Sequence, residues 1–186
     1  MVDIIGSIKS AWDLAIHPSK AKPMDISDAV KFYYSFAIIP GIVAAIIAGI
    51  IGGLTAAVIM LAVIFILELI FIFVDAALYQ LFGKFVLRKF KNDYSVTFTA
   101  TVIATIPAIL FYWIAPITGG LSSIIFGIWG LILLTIALMK LQKVSGVTAV
   151  LSWLLPGIIL SIIAFLIIFA ALSSLGVFSP TALTTI

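Results

Sequence analysis

The sequence has no cysteine and a single histidine, His17, in 186 residues. Without thiols there is no disulfide framework, no thiolate nucleophile and no Cys/His zinc site, and one histidine leaves no His-based triad. Charge is also scarce, with ten Lys and Arg and seven Asp and Glu making up 9% of the chain. A soluble domain carries about 25% charged residues, so the polar sequence here is too little to cover a water-facing surface. The alternating segments of about ten residues that mark barrel strands are absent as well. The Gly-rich stretch at 49–53 lacks the following Lys-Ser/Thr of a phosphate loop and reads as packing and turn. The residue types offer no nucleophile–base pair and no metal cluster, so the expectation is a non-enzyme without metal or cofactor.

What is present is hydrophobic. The chain is 65% apolar with a mean hydropathy of +1.40. Runs of about twenty apolar residues define an all-α, polytopic membrane bundle of five transmembrane helices. The spans are expected at residues 32–51, 54–82, 95–114, 121–139 and 147–172. A cytoplasmic segment, 1–31, precedes them and an uncharged outer-side tail, 173–186, follows.

Residues 1–16 do not read as a signal peptide, because Asp3 stands where basic residues belong and no continuous apolar core follows. As a helix, the segment gathers Ile4, Ile5, Ile8, Ala11, Trp12, Ala15 and Ile16 on one side, with Leu14 out of pattern. This is an amphipathic helix for the membrane interface, carried by Ile5, Ile8 and Trp12, or else a helix packed on the bundle. His17-Pro18 ends it, and residues 19–31 form a polar hinge in which Ser27 is a candidate cap for the next helix.

The first span opens on Tyr33 and Tyr34, an aromatic belt, and Pro40-Gly41 is expected to kink it. Gly41, Ala45, Gly49 and Gly53 recur every four residues and invite a close helix neighbour. The second span, about 43 Å long at 1.5 Å per residue, exceeds the hydrocarbon core and must tilt or project. With the N-terminus inside, all ten basic residues of the chain fall on the inner side of five spans. This pattern predicts N-in, C-out.

Glu68 and Asp75 are the only charges enclosed by apolar sequence on both sides. A carboxylate there costs roughly 2.5 kcal/mol or more on insertion scales. Seven residues apart, the two share a helix face. The third span runs the opposite way and carries Thr97, Thr101 and Thr105 four apart. By depth, Thr101 is expected near Asp75 and Thr105 near Glu68. One reading is a polar track that holds a proton or a cation. The other is structural, with the acids bonded to threonine hydroxyls or bent-helix carbonyls, or with Asp75 paired to Lys84 or Arg88. The loop that follows, KFVLRKFK, alternates basic with apolar residues. Lys84, Arg88, Lys89 and Lys91 suit anionic headgroups at about 1 kcal/mol each, and their place against a membrane argues against nucleic acid.

Several stretches resemble the Yip1-domain family of five-span membrane proteins. They are Ala77-Leu78-Tyr79-Gln80-Leu81-Phe82-Gly83 running into the basic loop and the Thr/Ala-rich 95–107 with its Pro107. Ile128-Trp129 leading to Leu138 through Ala149, and Leu154-Leu155-Pro156, complete the match. The resemblance covers about half of the chain or more. It implies a membrane-organising or partner-binding scaffold, the family role being membrane traffic with small-GTPase interaction. The aspartate-tyrosine-glycine-proline signature of the eukaryotic branch is absent, and the pattern is that of a compact prokaryotic or archaeal member. Expected partners are membrane lipids and another membrane protein or a second copy, in the cell membrane. The alternative reading is a small proton- or cation-coupled transporter or channel using Glu68 and Asp75.

Overall fold

The computed structural model describes residues 4–118 and 121–174. The expected tail therefore lies outside the described residues apart from its first two. No strand occurs among the described residues, and the elements are α1 (Ile4–Ile16), α2 (Ile26–Ala62), α3 (Glu68–Leu81), α4 (Tyr94–Leu110), α5 (Ala115–Thr118), α6 (Leu121–Gln142) and α7 (Gly146–Ser174). Among the described residues, four helical stretches are long and apolar enough to cross a membrane: Ile26–Val86, Tyr94–Ile114, Leu121–Gln142 and Gly146–Ala171.

The first of these stretches is a hairpin. Gly53 has φ 79° and ψ −178°, a conformation open only to glycine, and there the chain reverses. A Cβ on Gly41 would lie 2.9 Å from the Phe65 ring, and one on Gly49 would lie 3.2 Å from Ala57. The small-residue stripe thus brings the two arms together. The turn expected in the Gly-rich stretch 49–53 falls at Gly53, the one residue of α2 with non-helical dihedrals, while α2 continues through Pro40. Helical structure also starts earlier than the polar hinge suggested. Asp25 caps α2 by accepting the Asp28 N–H at 2.8 Å, so Ser27 already lies inside the first turn and is not the cap.

Two π-turns, Val63–Leu67 and Phe82–Val86, bracket α3. In the first, the Glu68 N–H reaches back to Val63 O rather than to Ile64 O, which releases carbonyls from the helical ladder. Tyr33 donates its hydroxyl to Ile64 O, and Tyr34 donates to Phe65 O at 2.9 Å. The two tyrosines thus satisfy backbone groups that hydrocarbon cannot.

Helix α4 is the centre of the bundle, packed by α1, α2, α3 and α6. Phe98, Ile103, Ile106 and Ile109 are buried together with Tyr33, Phe36, Ile64, Ile72, Leu133 and Leu138. Gly130 of α6 approaches so closely that a Cβ would lie 2.6 Å from the Ala104 carbonyl oxygen. Outside this core the surface is apolar: Ile50, Leu54, Val58, Phe71, Ile125, Phe165 and Ile167 are all exposed. Contiguous exposure on this scale marks a membrane-embedded protein rather than a water-facing one.

Helix α1 packs on α2 and α4. Ile4 shares a cleft with Tyr34 and Ile38 of α2. Trp12 meets Phe111 and Trp129 edge-on, at 6.1 and 6.2 Å, and Trp129 Nε1 donates to Ala15 O at 3.3 Å. Ala11 and Ala15 are buried, with Ile8 and Leu14 packed beside them. Leu14 therefore fits the pattern after all. Ile5, Trp12 and Ile16 stay 78%, 42% and 51% exposed. Asp13 pairs with His17 at 3.1 Å and Lys20 at 2.9 Å on the remaining side. The helix has three sectors, facing bundle, apolar surroundings and water.

Candidate functional site

Two places collect polar chemistry. The first is a cavity of about 200 Å³ with Glu68 in its wall. The π-turn that ends at Leu67 delivers Glu68 to it, and Phe111, Tyr112, Ser122, Ser123 and Phe126 face the same space. Phe111 and Phe126 stack with centroids 4.7 Å apart and planes 8° apart. Ser122 accepts from Thr118 Oγ1 at 2.9 Å. Tyr33 and Tyr112 lie within electrostatic reach of the Glu68 carboxyl. Among the described residues, neither Glu68 nor Asp75 makes a hydrogen bond or an ion pair.

The threonines do not join them. Thr101 Oγ1 donates to Thr97 O at 3.0 Å and Thr105 Oγ1 to Val102 O at 2.8 Å, each within its own helix. The groups beside Glu68 come instead from the end of α4 and the start of α6. Nor does Asp75 pair with Lys84 or Arg88.

The second place is the pair of turns after α3 and α6. Gly83 lets the Phe90 ring lie on its backbone, where a Cβ would be 2.4 Å from the ring, and Gly83 O accepts the Lys89 and Phe90 N–H groups at 2.9 and 3.1 Å. Arg88 closes the turn with φ 53° and Lys143 closes the next with φ 55°. Both are left-handed residues past a helix end.

A buried amide network joins the two turns. Gln80 Nε2 donates to Asn92 O at 2.9 Å, and Asn92 Nδ2 donates to Leu141 O at 2.7 Å. The Asn92 N–H donates to Gln142 Oε1 at 3.2 Å, and Gln142 Nε2 donates to Thr97 Oγ1 at 2.9 Å. Thr97 Oγ1 donates to Gln80 Oε1. From this base Lys84, Arg88, Lys89 and Lys91 project with Lys140 and Lys143, all exposed and none ion-paired among the described residues. Phe85 and Val86 are exposed beside them.

The sequence reading singled out the basic residues but not the network. Its signal was a pair of glutamines, Gln80 and Gln142, near the ends of otherwise apolar helices. No group of three or more His, Cys, Asp or Glu residues gathers among the described residues.

No family model matches the chain, and neither does any curated protein or solved structure.

Proposed function

We propose that this is a non-enzymatic, multi-pass protein of the cell membrane, a membrane-organising or partner-binding scaffold that holds anionic headgroups on a basic cytoplasmic face. In this reading the chain crosses five times, N-in and C-out; the reversal at Gly53 within Ile26–Val86 supports counting that stretch as two crossings. All basic residues then share one side. The three-sector α1 packs against the bundle through Trp12, Phe111 and Trp129, and its exposed Ile5 and Ile16 are left toward lipid. The resemblance to Yip1-domain proteins agrees with action by association rather than by chemistry, and a second copy or another membrane protein is the expected partner.

The observation that carries this reading is the basic surface itself. Six exposed Lys and Arg side chains stand on two turns that the Gln80–Asn92–Thr97–Gln142 network holds in fixed relation. A surface that marks topology alone does not require this rigidity. Exposed Phe85 and Val86 add apolar contact at the acyl boundary.

The test is native mass spectrometry of protein extracted from a membrane holding phosphatidylcholine and phosphatidylglycerol in equal amounts. The expected result is selective retention of phosphatidylglycerol, lost when Lys84, Arg88, Lys89 and Lys91 are replaced by serine. Equal retention of both lipids, or unchanged selectivity in the variant, contradicts the proposal.

A further inference from the structure

We propose that the cavity at Glu68 binds a small monovalent cation bearing N–H donors, of the ammonium or primary alkylammonium class. Size is the first argument. A volume of about 200 Å³ equals roughly six or seven waters at about 30 Å³ each. It is smaller than the roughly 300–1,000 Å³ of drug-sized ligand sites, yet ample for an alkylammonium head.

Charge is the second argument. Glu68 is the one charged group among the described lining residues, and it has no hydrogen-bond or ion-pair partner among the described residues. One carboxylate balances one positive charge. A divalent ion asks for several oxygen ligands, commonly more than one of them a carboxylate, and no cluster of three metal-ligating side chains exists among the described residues.

The acceptor set is the third. Two carboxylate oxygens and the hydroxyl oxygens of Tyr112, Ser122 and Ser123 offer directional acceptors to N–H donors. The stacked pair Phe111 and Phe126 gives the cavity an aromatic wall, which favours a weakly hydrated cation over a strongly hydrated metal ion. The position of the carboxyl is fixed from behind. The π-turn preceding Glu68 is clamped by Tyr33 and Tyr34, and π-turns recur where a side chain is aimed at a site. The other titratable groups that sense Glu68 are Asp75 on its own helix, Tyr33 from α2 and Tyr112 from the end of α4. This site is independent of the basic surface, and either can exist without the other.

The experiment uses the full chain in phosphatidylcholine nanodiscs at pH 7.5, titrated with methylammonium chloride against sodium, potassium and choline chlorides. Infrared difference spectroscopy reads the glutamate carboxyl and carboxylate bands. The expected result is a saturable methylammonium response that is absent in Glu68→Gln and present in Asp75→Asn. In Tyr112→Phe, which keeps ring and volume, affinity should fall about five-fold, the worth of one hydrogen bond. An equal response to sodium or potassium overturns the proposal, as does a response that survives in Glu68→Gln or the absence of saturation. If Glu68→Gln does not incorporate, Tyr112→Phe decides alone: unchanged affinity there overturns the assignment.

Discussion

Tyr33 donates its hydroxyl proton to the backbone carbonyl of Ile64 across the hairpin that Gly53 opens. This bond takes the place of one that the π-turn at Val63–Leu67 withdraws from the helical ladder. It couples the first arm of α2 to the helix that carries Glu68, so packing and the position of the half-buried acid share one contact. Removing it by Tyr33→Phe keeps the ring and leaves a carbonyl without a partner in an apolar setting. The expected cost is about 1–2 kcal/mol, read from unfolding in mixed detergent micelles. Tyr34→Phe should cost less, because its bond to Phe65 O is only part-buried.

Helix contact at α4 is equally specific. A Cβ at Gly130 would meet the Ala104 carbonyl oxygen at 2.6 Å, whereas a Cβ at Gly127 would meet nothing within 4 Å. Gly130→Ala should destabilise by about 1–3 kcal/mol through overpacking. Gly127→Ala should be neutral or slightly stabilising through helix propensity. Equal effects at the two positions in the same unfolding assay would contradict the close approach of α6 to α4.

The amide network is the part of the molecule least legible in the sequence. Composition and apolar runs were enough for a helical membrane bundle, and the pattern of Lys84, Arg88, Lys89 and Lys91 was enough for a basic surface. Gln80, Thr97 and Gln142 carry no charge, and whether three neutral side chains meet depends on helix rotations that periodicity does not specify. The pairing of Thr101 and Thr105 with the acids failed for a related reason. Depth along a span does not specify which way a side chain faces, and both hydroxyls turn back to carbonyls of their own helix. Gly53 takes a conformation that no other residue type shares.

Gln142 is the network's hub, accepting from the Asn92 N–H and donating to Thr97 and Gln80. Gln142→Leu keeps the volume and removes these bonds. The expected loss is about 2–3 kcal/mol, since buried partners are left unpaired. The Asn92 amide should also exchange with solvent faster in hydrogen–deuterium exchange. Unchanged exchange at Asn92 would mean that the two turns are held by something else.

Asp13 gives the chain a pH-sensitive contact outside the spans. The hydrogen bond from Lys20 holds its carboxyl below the usual carboxylate value, with a smaller contribution from His17. A lowered value in the folded state means that the contact stabilises α1 above the ordinary carboxylate range, about pH 4. That stability is lost as pH falls through the folded value. Trp12 fluorescence should therefore change on acidification below about pH 4, and Asp13→Asn should abolish that change.

The proposed five crossings put Thr55, beside the reversal at Gly53, and the basic turns on opposite sides of the membrane. The chain has no cysteine, so single replacements at exposed Thr55, Lys89 and Lys143 can be labelled without a background. With a membrane-impermeant maleimide applied to intact cells, Thr55→Cys should react, while Lys89→Cys and Lys143→Cys should react only after the membrane is opened. Labelling of position 55 on the same side as positions 89 and 143 would mean that the Ile26–Val86 hairpin does not cross twice, and the five-crossing scaffold would have to be abandoned.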